Sequence, residues 1–587
     1  MNEVWNLDKM YQGFDDPRYG TALKELEATV SNFCGFAGTL SSLNPLEGLR
    51  QGLYYEETLM TLGSDLAIYA QLRQATNTRD TVCSSRLGQV MQLLSSAAGA
   101  EAAWKEWAAS LPGLMELVNS DPLLKEHTFL FETLQRDSVH LLGEMGEQIS
   151  ARMQLSGSNA WSELHGYLTS TVKVYYDGGI TNLSAIRNLA YDPDSAVRKA
   201  AYEAELACYE SIQDSVAFAL NSIKLETLSD CSLRGYTSPL DRTLEESHMQ
   251  RRTLEAMLSA IEEALPHFRR YLKTKAKALG HENGLPWYDL FAPMGSAETR
   301  YTTQEVRDIL VELFHSFDPE LAQMTATAFD EAWIDFFPRD GKSGGAFCEF
   351  IPRLKESRIL TNFDGMFTDI VTLAHELGHA FHNRCIQDHR ALNQAYTMPL
   401  AETASIFNEC VINTAALQNA ENDAQKLALL ESQLQDVTQI IVDIYSRFRF
   451  ESLVFQNREH SFLDADALCS LMAQAQQESY GDGLDPALRH PYMWICKPHY
   501  YGPTFYNFPY AFGGLFARGL YAQYEKEGAA FVPKYKQLLH TTPIASAEDV
   551  AATAGIDLAD KTFWRSALEL VIKQIDQFCE LVSEKEK

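Results

Sequence analysis

The sequence predicts a mainly α-helical fold, and three observations carry that prediction. Apolar residues recur at three- and four-residue spacing through long stretches of the chain, the period of a helix with one buried face. Strand-like alternation is confined to a few short runs. The composition, 46% hydrophobic and 22% charged, is that of a globular protein without disordered tracts.

In chain order, residues 64–77, 88–111 and 121–153 read as helices on that spacing. Thr171 to Tyr176 alternates and stops at Asp177-Gly178-Gly179, a hairpin signal. Pro193 after Asp192 is a good helix start, because proline's fixed φ suits the first turn. The run continues to residue 229 through Val197, Ala201, Leu206 and Ile212. Segments 250–279, 303–331, 425–457 and 509–525 repeat the helical pattern. Ala346 to Ile351 and Arg358 to Phe363 form a second strand pair, so a small sheet is expected within 340–365. A chain of 587 residues can hold several domains or one large continuous fold. No repeat, low-complexity stretch or flexible linker divides it. The single boundary drawn is soft, near 185–195. It separates an N-terminal helical region, 1–190, from a catalytic region, 191–587, the two expected to form one continuous fold.

The formal net charge is −30 and the isoelectric point lies near 4.9. Nucleic acids and anionic membranes need basic patches, and none is present, so neither is expected as a partner. An acidic solvated surface explains the charge, with a mild preference for cationic substrates as the alternative. Met1 to Asn6 shows no basic stretch followed by an apolar run, so no secretory signal is read. No window reaches 18 uninterrupted apolar residues, so no membrane span is expected. The ten cysteines are scattered without a CxxC pair, which fits free thiols in a reducing cytoplasm. Oligomeric state is left open between monomer and homodimer.

His375-Glu376-Leu377-Gly378-His379 carries the chemistry. Two histidines four apart stand on one face of a helix, one turn above each other, and their ring nitrogens can hold one Zn²⁺. Glu376 lies about 100° around the axis, where it can take a proton from the attacking water instead of serving as a ligand. That is the arrangement of a zinc peptidase. The bare pattern also arises by chance, so its surroundings decide.

A catalytic zinc site needs a third protein ligand and an open position. The metzincin pattern would place Gly at 382 and His at 385; here those positions hold His382 and Cys385, which excludes it. The other common solution is a carboxylate on a second helix, and Glu402 stands 23 residues after His379 among small residues, as a close helix approach requires. Glu409, two turns further, can accept a hydrogen bond from a liganding imidazole. Asp369 is a second candidate for that role, or a helix cap. His382 shares the histidine face, but a fourth protein ligand would close the site, so packing is its expected role. His389 is likewise a ligand by type and not by geometry. Cys348, Cys385 and Cys410 are possible soft ligands near the motif, against carboxylates at better spacing.

Thr372 to His382, followed by Ala401-Glu402-Thr403-Ala404-Ser405-Ile406-Phe407-Asn408-Glu409, resembles the thimet-oligopeptidase family of zinc peptidases, and within it the oligoendopeptidase F branch. Trp5-Asn6-Leu7, Val197 to Ala204, Tyr288 to Pro293 and Gly341 to Cys348 agree, so the resemblance covers nearly the whole chain. It implies a clam-like, two-lobed, neurolysin-like molecule with a deep central channel and zinc on its floor. It also implies endopeptidase action on short peptides.

Gly344-Gly345-Ala346-Phe347 lacks bulk where a peptide backbone must come close, and in similar enzymes an edge strand here holds the substrate. A glycine-rich turn is the alternative. The stretch His499 to Tyr510 is dense in hydrogen-bond donors, and in the family a histidine followed by tyrosines stabilises the oxyanion. The resemblance carries that role to His499, Tyr506 and Tyr510, while Tyr500 and Tyr501 can instead pack. The expected protein is thus an oligoendopeptidase with one zinc per chain on His375, His379 and Glu402, and Glu376 as general base and acid. A zinc carboxypeptidase or dipeptidyl carboxypeptidase of related fold is the alternative. A non-catalytic peptide-binding protein is more distant, because no ligand or base is missing.

Overall fold

The computed structural model describes residues 3–295, 299–502 and 505–585. Met1, Asn2, Pro503 and Thr504, which fall in stretches read above, lie outside the described residues. Most described residues are helical. The sheet content consists of β1 (Val174–Tyr176), β2 (Gly179–Thr181), β3 (Ile334–Asp335), β4 (Phe347–Ile351) and β5 (Glu356–Leu360).

Several predicted helices appear with shifted ends. The predicted 64–77 falls in Pro45–Thr76, which Asn44 caps by accepting from the Leu46 and Glu47 amides, and the predicted 88–111 in Thr81–Ala109; both observed helices start earlier and end one or two residues sooner. Residues 250–279 form Arg251–Ala278, and 509–525 form Phe508–Glu527. The stretch 425–457 is helical from Asp423 to Arg458, with one π turn at Gln439–Asp443.

Three predicted helices are corrected. Residues 303–331 split into Thr303–Phe317 and Pro319–Asp330, because Pro319 forces Asp318 into an extended conformation (φ −147°) and Asp318 then caps the second helix. Residues 193–229 split into Ser195–Tyr209 and Gln213–Arg234, where the Ser211 hydroxyl takes the Cys208 carbonyl and buried Ile212 leaves helical geometry. Residues 121–153 break into Pro122–Lys125, Thr128–Asp137 and Gly143–Ser156, the last opening on Gly143 at φ +74°. The long helices Pro17–Ala37, Ala465–Tyr480 and Lys561–Lys585 are not anticipated from the sequence.

The chain folds into two compact units. One comprises residues 1–139, 298–412 and 526–555, the other 140–297, 413–525 and 556–587. In the first, Pro17–Ala37, Pro45–Thr76 and Thr81–Ala109 bury Phe33, Leu49, Leu53 and Trp104 in a core that also takes in Ile351 and Leu360 of the sheet. The sheet order is β3-β5-β4, with β3 parallel and β4 antiparallel to β5, so β5 is central and β4 lies at one edge. Phe347 pairs with Leu360 and Ile351 with Glu356. The sequence reading finds β4 and β5 but not β3, a two-residue strand too short to show alternation.

In the second unit, β1 and β2 form the expected hairpin around Asp177 and Gly178, both at positive φ (49° and 71°), as a two-residue turn with the strands' twist requires. Its interior is crossed by buried ion pairs. Arg198 meets Asp289 at 2.7 Å, which joins the two motifs Val197–Ala204 and Tyr288–Pro293. Lys224 meets Glu451 at 2.7 Å, and Lys275 meets Glu431. Removing one partner of such a pair leaves a buried charge uncompensated, at a cost of about 3–5 kcal/mol. No described helix is long and apolar enough to cross a membrane.

Candidate metal centre

The helix Phe367–Ile386 carries both histidines of the motif. Asp369 starts it by accepting from the amides of Asp364 and Met366, both at 2.9 Å, so the structure gives Asp369 the capping duty. The second helix, Thr403–Gln418, follows Glu402 directly. The two helices touch at Gly378. A Cβ there would lie 2.5 Å from the Ala404 carbonyl oxygen and from Ser405 Cα, so only glycine permits this approach. The Asn408 amide adds a tie by donating to the Ala374 carbonyl at 3.1 Å.

That crossing brings three donor atoms together. His375 Nε2 stands 3.2 Å from His379 Nε2 and 3.3 Å from Glu402 Oε2, and His379 Nε2 stands 3.4 Å from the same oxygen. Two donors about 2.0–2.1 Å from a tetrahedral ion stand roughly 3.3–3.4 Å apart, so the triangle fits such an ion with its fourth corner open. Among the described residues these three form the only such group. The Ser405 hydroxyl donates to Glu402 Oε2 at 2.7 Å and orients the carboxylate. Behind His375, Nδ1 donates to Glu409 Oε1 at 2.6 Å, which leaves Nε2 to face the triangle.

The electrostatics follow from burial and these contacts. Burial alone would lower the His375 pKa, but the hydrogen bond and charge of Glu409 override it and hold the imidazole at about 9. His379 lacks such a partner, and burial pushes it down. Burial raises the Glu376 carboxyl to about 7, opposed by His375 and helped by Glu402 and Glu409. Glu376 stands outside the triangle and is 6% exposed.

The other candidates near the motif are engaged elsewhere. His382 is fully buried, donates from Nε2 to Thr542 Oγ1 at 2.8 Å and stacks on Tyr396. His389 Nε2 donates to the His540 carbonyl at 2.7 Å. Cys385 and Cys410 take no part in the donor group, and no cysteine is joined in a disulfide.

The triangle opens on a cleft of about 440 Å³. The edge strand lines it from Ala346 to Phe350, together with Glu376, Asn383 and Tyr396. Gly344 and Gly345 lie just before the strand and outside this lining. There Gly345 takes φ +76°, and the Asn362 amide holds its carbonyl at 2.8 Å. Glu349, Asn383 and Tyr396 escape the sequence reading, since nothing in their local pattern marks them as cleft residues. Ser405 stands in the quoted motif, but its bond to Glu402 depends on the fold.

In the second unit, His499, Tyr506 and Tyr510 form one group. The Tyr510 hydroxyl stands 3.5 Å from His499 Nε2, and the His499 and Tyr506 rings are 5.2 Å apart. Burial, Arg447 and Lys497 lower the His499 pKa, so the ring is neutral at neutral pH. Tyr500 and Tyr501 are packing residues: both are buried, and Tyr501 stacks on His165 at 3.6 Å. The Lys224 ammonium donates to the Gly502 carbonyl at 3.2 Å and the Asn507 amide to Glu451 at 3.4 Å, which anchors this segment to the buried ion pair.

Known proteins resemble this chain in sequence and in fold. The family model "Peptidase family M3" matches residues 188–570, and "Oligopeptidase F" matches residues 112–173. Oligopeptidase PepF of Bacillus subtilis is 23% identical over 592 residues, covering 99% of this chain and 87% of its own. A solved candidate peptidase from Chlamydophila abortus superposes with a TM-score of 0.85 at 20% identity, over 99% of this chain and 98% of its own. Oligoendopeptidase-F from Enterococcus faecium gives 0.71 at 18% identity, over 97% and 99%.

Proposed function

The chain belongs to peptidase family M3, and on that premise we propose that it is a zinc-dependent oligoendopeptidase cutting internal bonds of short, unstructured peptides. That it is a metallopeptidase of the oligopeptidase kind follows from the family and its oligopeptidase F relatives. The resemblance to the thimet-oligopeptidase family thus resolves to M3 and its oligopeptidase F branch. The peptidase chemistry is assigned to residues 191–587, with 1–190 as helical support.

His375, His379 and Glu402 hold one zinc ion per chain. When bound, zinc supplies a Lewis acid that acidifies water and polarises the scissile carbonyl. Glu376, buried and lining the same cleft as the triangle, takes the proton of the attacking water and delivers it to the leaving amine. Glu409 fixes the His375 tautomer. The segment Gly344 to Phe347 and the free edge of β4 receive the peptide as an added strand. His499, with Tyr510 and Tyr506, donates to the developing oxyanion. Free thiols and the absence of a described membrane-crossing helix support work in the cytoplasm.

The observation that carries this reading is the donor triangle of 3.2–3.4 Å with Glu376 beside it and outside it. Elemental analysis of purified protein is expected to find close to one zinc per chain. Chelation should abolish cleavage of an internally quenched peptide, and added zinc should restore it. Full activity in a metal-free sample refutes the proposal.

A further inference from the structure

One polar group in the cleft has no part in the chemistry above. Tyr396 lies six residues before Glu402, in the irregular stretch between Ala391–Asn393 and Met398–Ala401, and lines the cleft beside His375, Glu376 and His379. Its ring rests flat on the His382 imidazole, with centroids 4.1 Å apart and planes 1° from parallel. That imidazole cannot swing. It is fully buried, and its Nε2 donates at 2.8 Å to Thr542, whose hydroxyl donates in turn to the Leu539 carbonyl at 2.8 Å.

The stretch itself is tied on both sides. The Gln394 amide donates to the His389 carbonyl at 2.7 Å, the Asn393 amide to Glu126 at 2.8 Å, and the Leu400 amide to Thr397 at 3.0 Å. Among the described residues the Tyr396 hydroxyl nevertheless has no hydrogen-bond partner. It also differs from the hydroxyls of Tyr500 and Tyr535, which are sealed in packing without a partner, because it remains accessible. A rigid phenol open to a cleft is a donor waiting for an acceptor that the protein does not supply.

We propose that Tyr396 is a substrate-binding residue, its hydroxyl donating to a main-chain carbonyl of the peptide in the cleft, with His382 as the platform that sets the ring. A peptide beside the β4 edge offers carbonyls whatever its sequence, so the contact serves binding without side-chain choice. The inference rests on the cleft being the peptide site.

The test uses the full-length Glu376→Gln protein, which binds without cutting, and fluorescein-labelled octapeptides that the wild type cleaves. Adding Tyr396→Phe keeps the ring stack and removes only the hydroxyl, so melting temperature and zinc content should hold. Binding of every peptide is expected to weaken about five- to tenfold by fluorescence anisotropy. In the enzyme with Glu376 intact, Tyr396→Phe should raise KM with little change in kcat. His382→Asn should weaken binding similarly, and His382→Phe, which restores a flat ring, should recover it. Affinities equal within twofold overturn the proposal, and so does a fall in kcat with unchanged affinity, which would place the phenol in the transition state. Failure of His382→Phe to rescue refutes the platform. A Glu376→Gln parent that binds no peptide at all overturns the cleft reading, and this inference with it.

Discussion

Replacing Glu409 with glutamine tests how the donor triangle is tuned. In the metal-free protein, the 2.6 Å bond from His375 Nδ1 to Glu409 and the acid's charge keep His375 protonated up to about pH 9. A metal ion must displace that proton. At pH 7 the displacement spans two pH units, about 2.7 kcal/mol or a hundredfold in apparent affinity. Apparent zinc affinity should therefore rise about tenfold per pH unit from 7 to 9 and then level off. His379, whose pKa is pushed down, adds no slope there, and Glu376 at about 7 adds slope only below that value. In Glu409→Gln the charge is gone and burial dominates, so the His375 pKa falls below its ordinary value and the slope should vanish. Loss of the carboxylate partner also weakens the ligand itself, by about 10–100-fold. At pH 7 the variant should bind as tightly as the wild type or up to about tenfold more tightly, and at pH 9 about 10–100-fold more weakly. Competition against a chromophoric chelator at five pH values measures both. A flat wild-type curve between pH 7 and 9, or equal slopes in the two proteins, refutes the assignment of that proton to the His375–Glu409 pair.

Three further outcomes are expected. Glu376→Gln should keep its zinc and lose at least about 10²–10⁴-fold in kcat, since the amide cannot accept the proton of water; half-maximal activity would remove Glu376 from the role. His499→Ala should lower kcat by about 10²–10³-fold with KM and zinc nearly unchanged, and Tyr510→Phe by the same or less, in steady-state kinetics on one fluorogenic peptide. Zinc loss in His499→Ala would make it structural or a ligand instead. Gly378→Ala should lower stability by about 1–3 kcal/mol and weaken zinc retention, because the added methyl meets the backbone of Ala404 and Ser405; unchanged melting temperature and metal content would show that the helices yield freely.

The helical class was legible because burial on one face imposes a period that any window reveals. Breaks inside long periodic stretches were less so. Pro319 announced one of them, since the residue before proline is driven out of helical geometry. The break at 210–212 depends on a serine hydroxyl competing for one carbonyl, a choice that the surrounding fold decides. The three-stranded sheet was half visible. The alternation of β4 and β5 can be read locally, while β3 exists only because five-residue β5 offers it a partner.

The same division runs through the site. His375 and His379 were readable because a spacing of four on one helix is itself a geometry. Glu402 needed one more fact, that Gly378 and the small residues at 404 and 405 let two helices approach to backbone contact. The sequence holds that fact as a lack of bulk, which marks a close approach only when a ligand is already being sought. Tyr396 holds no such mark. Its place in the cleft arises from a buried histidine, a threonine 160 residues beyond that histidine and a stretch tied at both ends, each ordinary when seen alone. Residues that bind metal are recognised by what they are, and residues that position substrate by what surrounds them. For this chain that difference separates a donor set read from five consecutive letters and one downstream acid from a phenol that became visible only in the folded cleft.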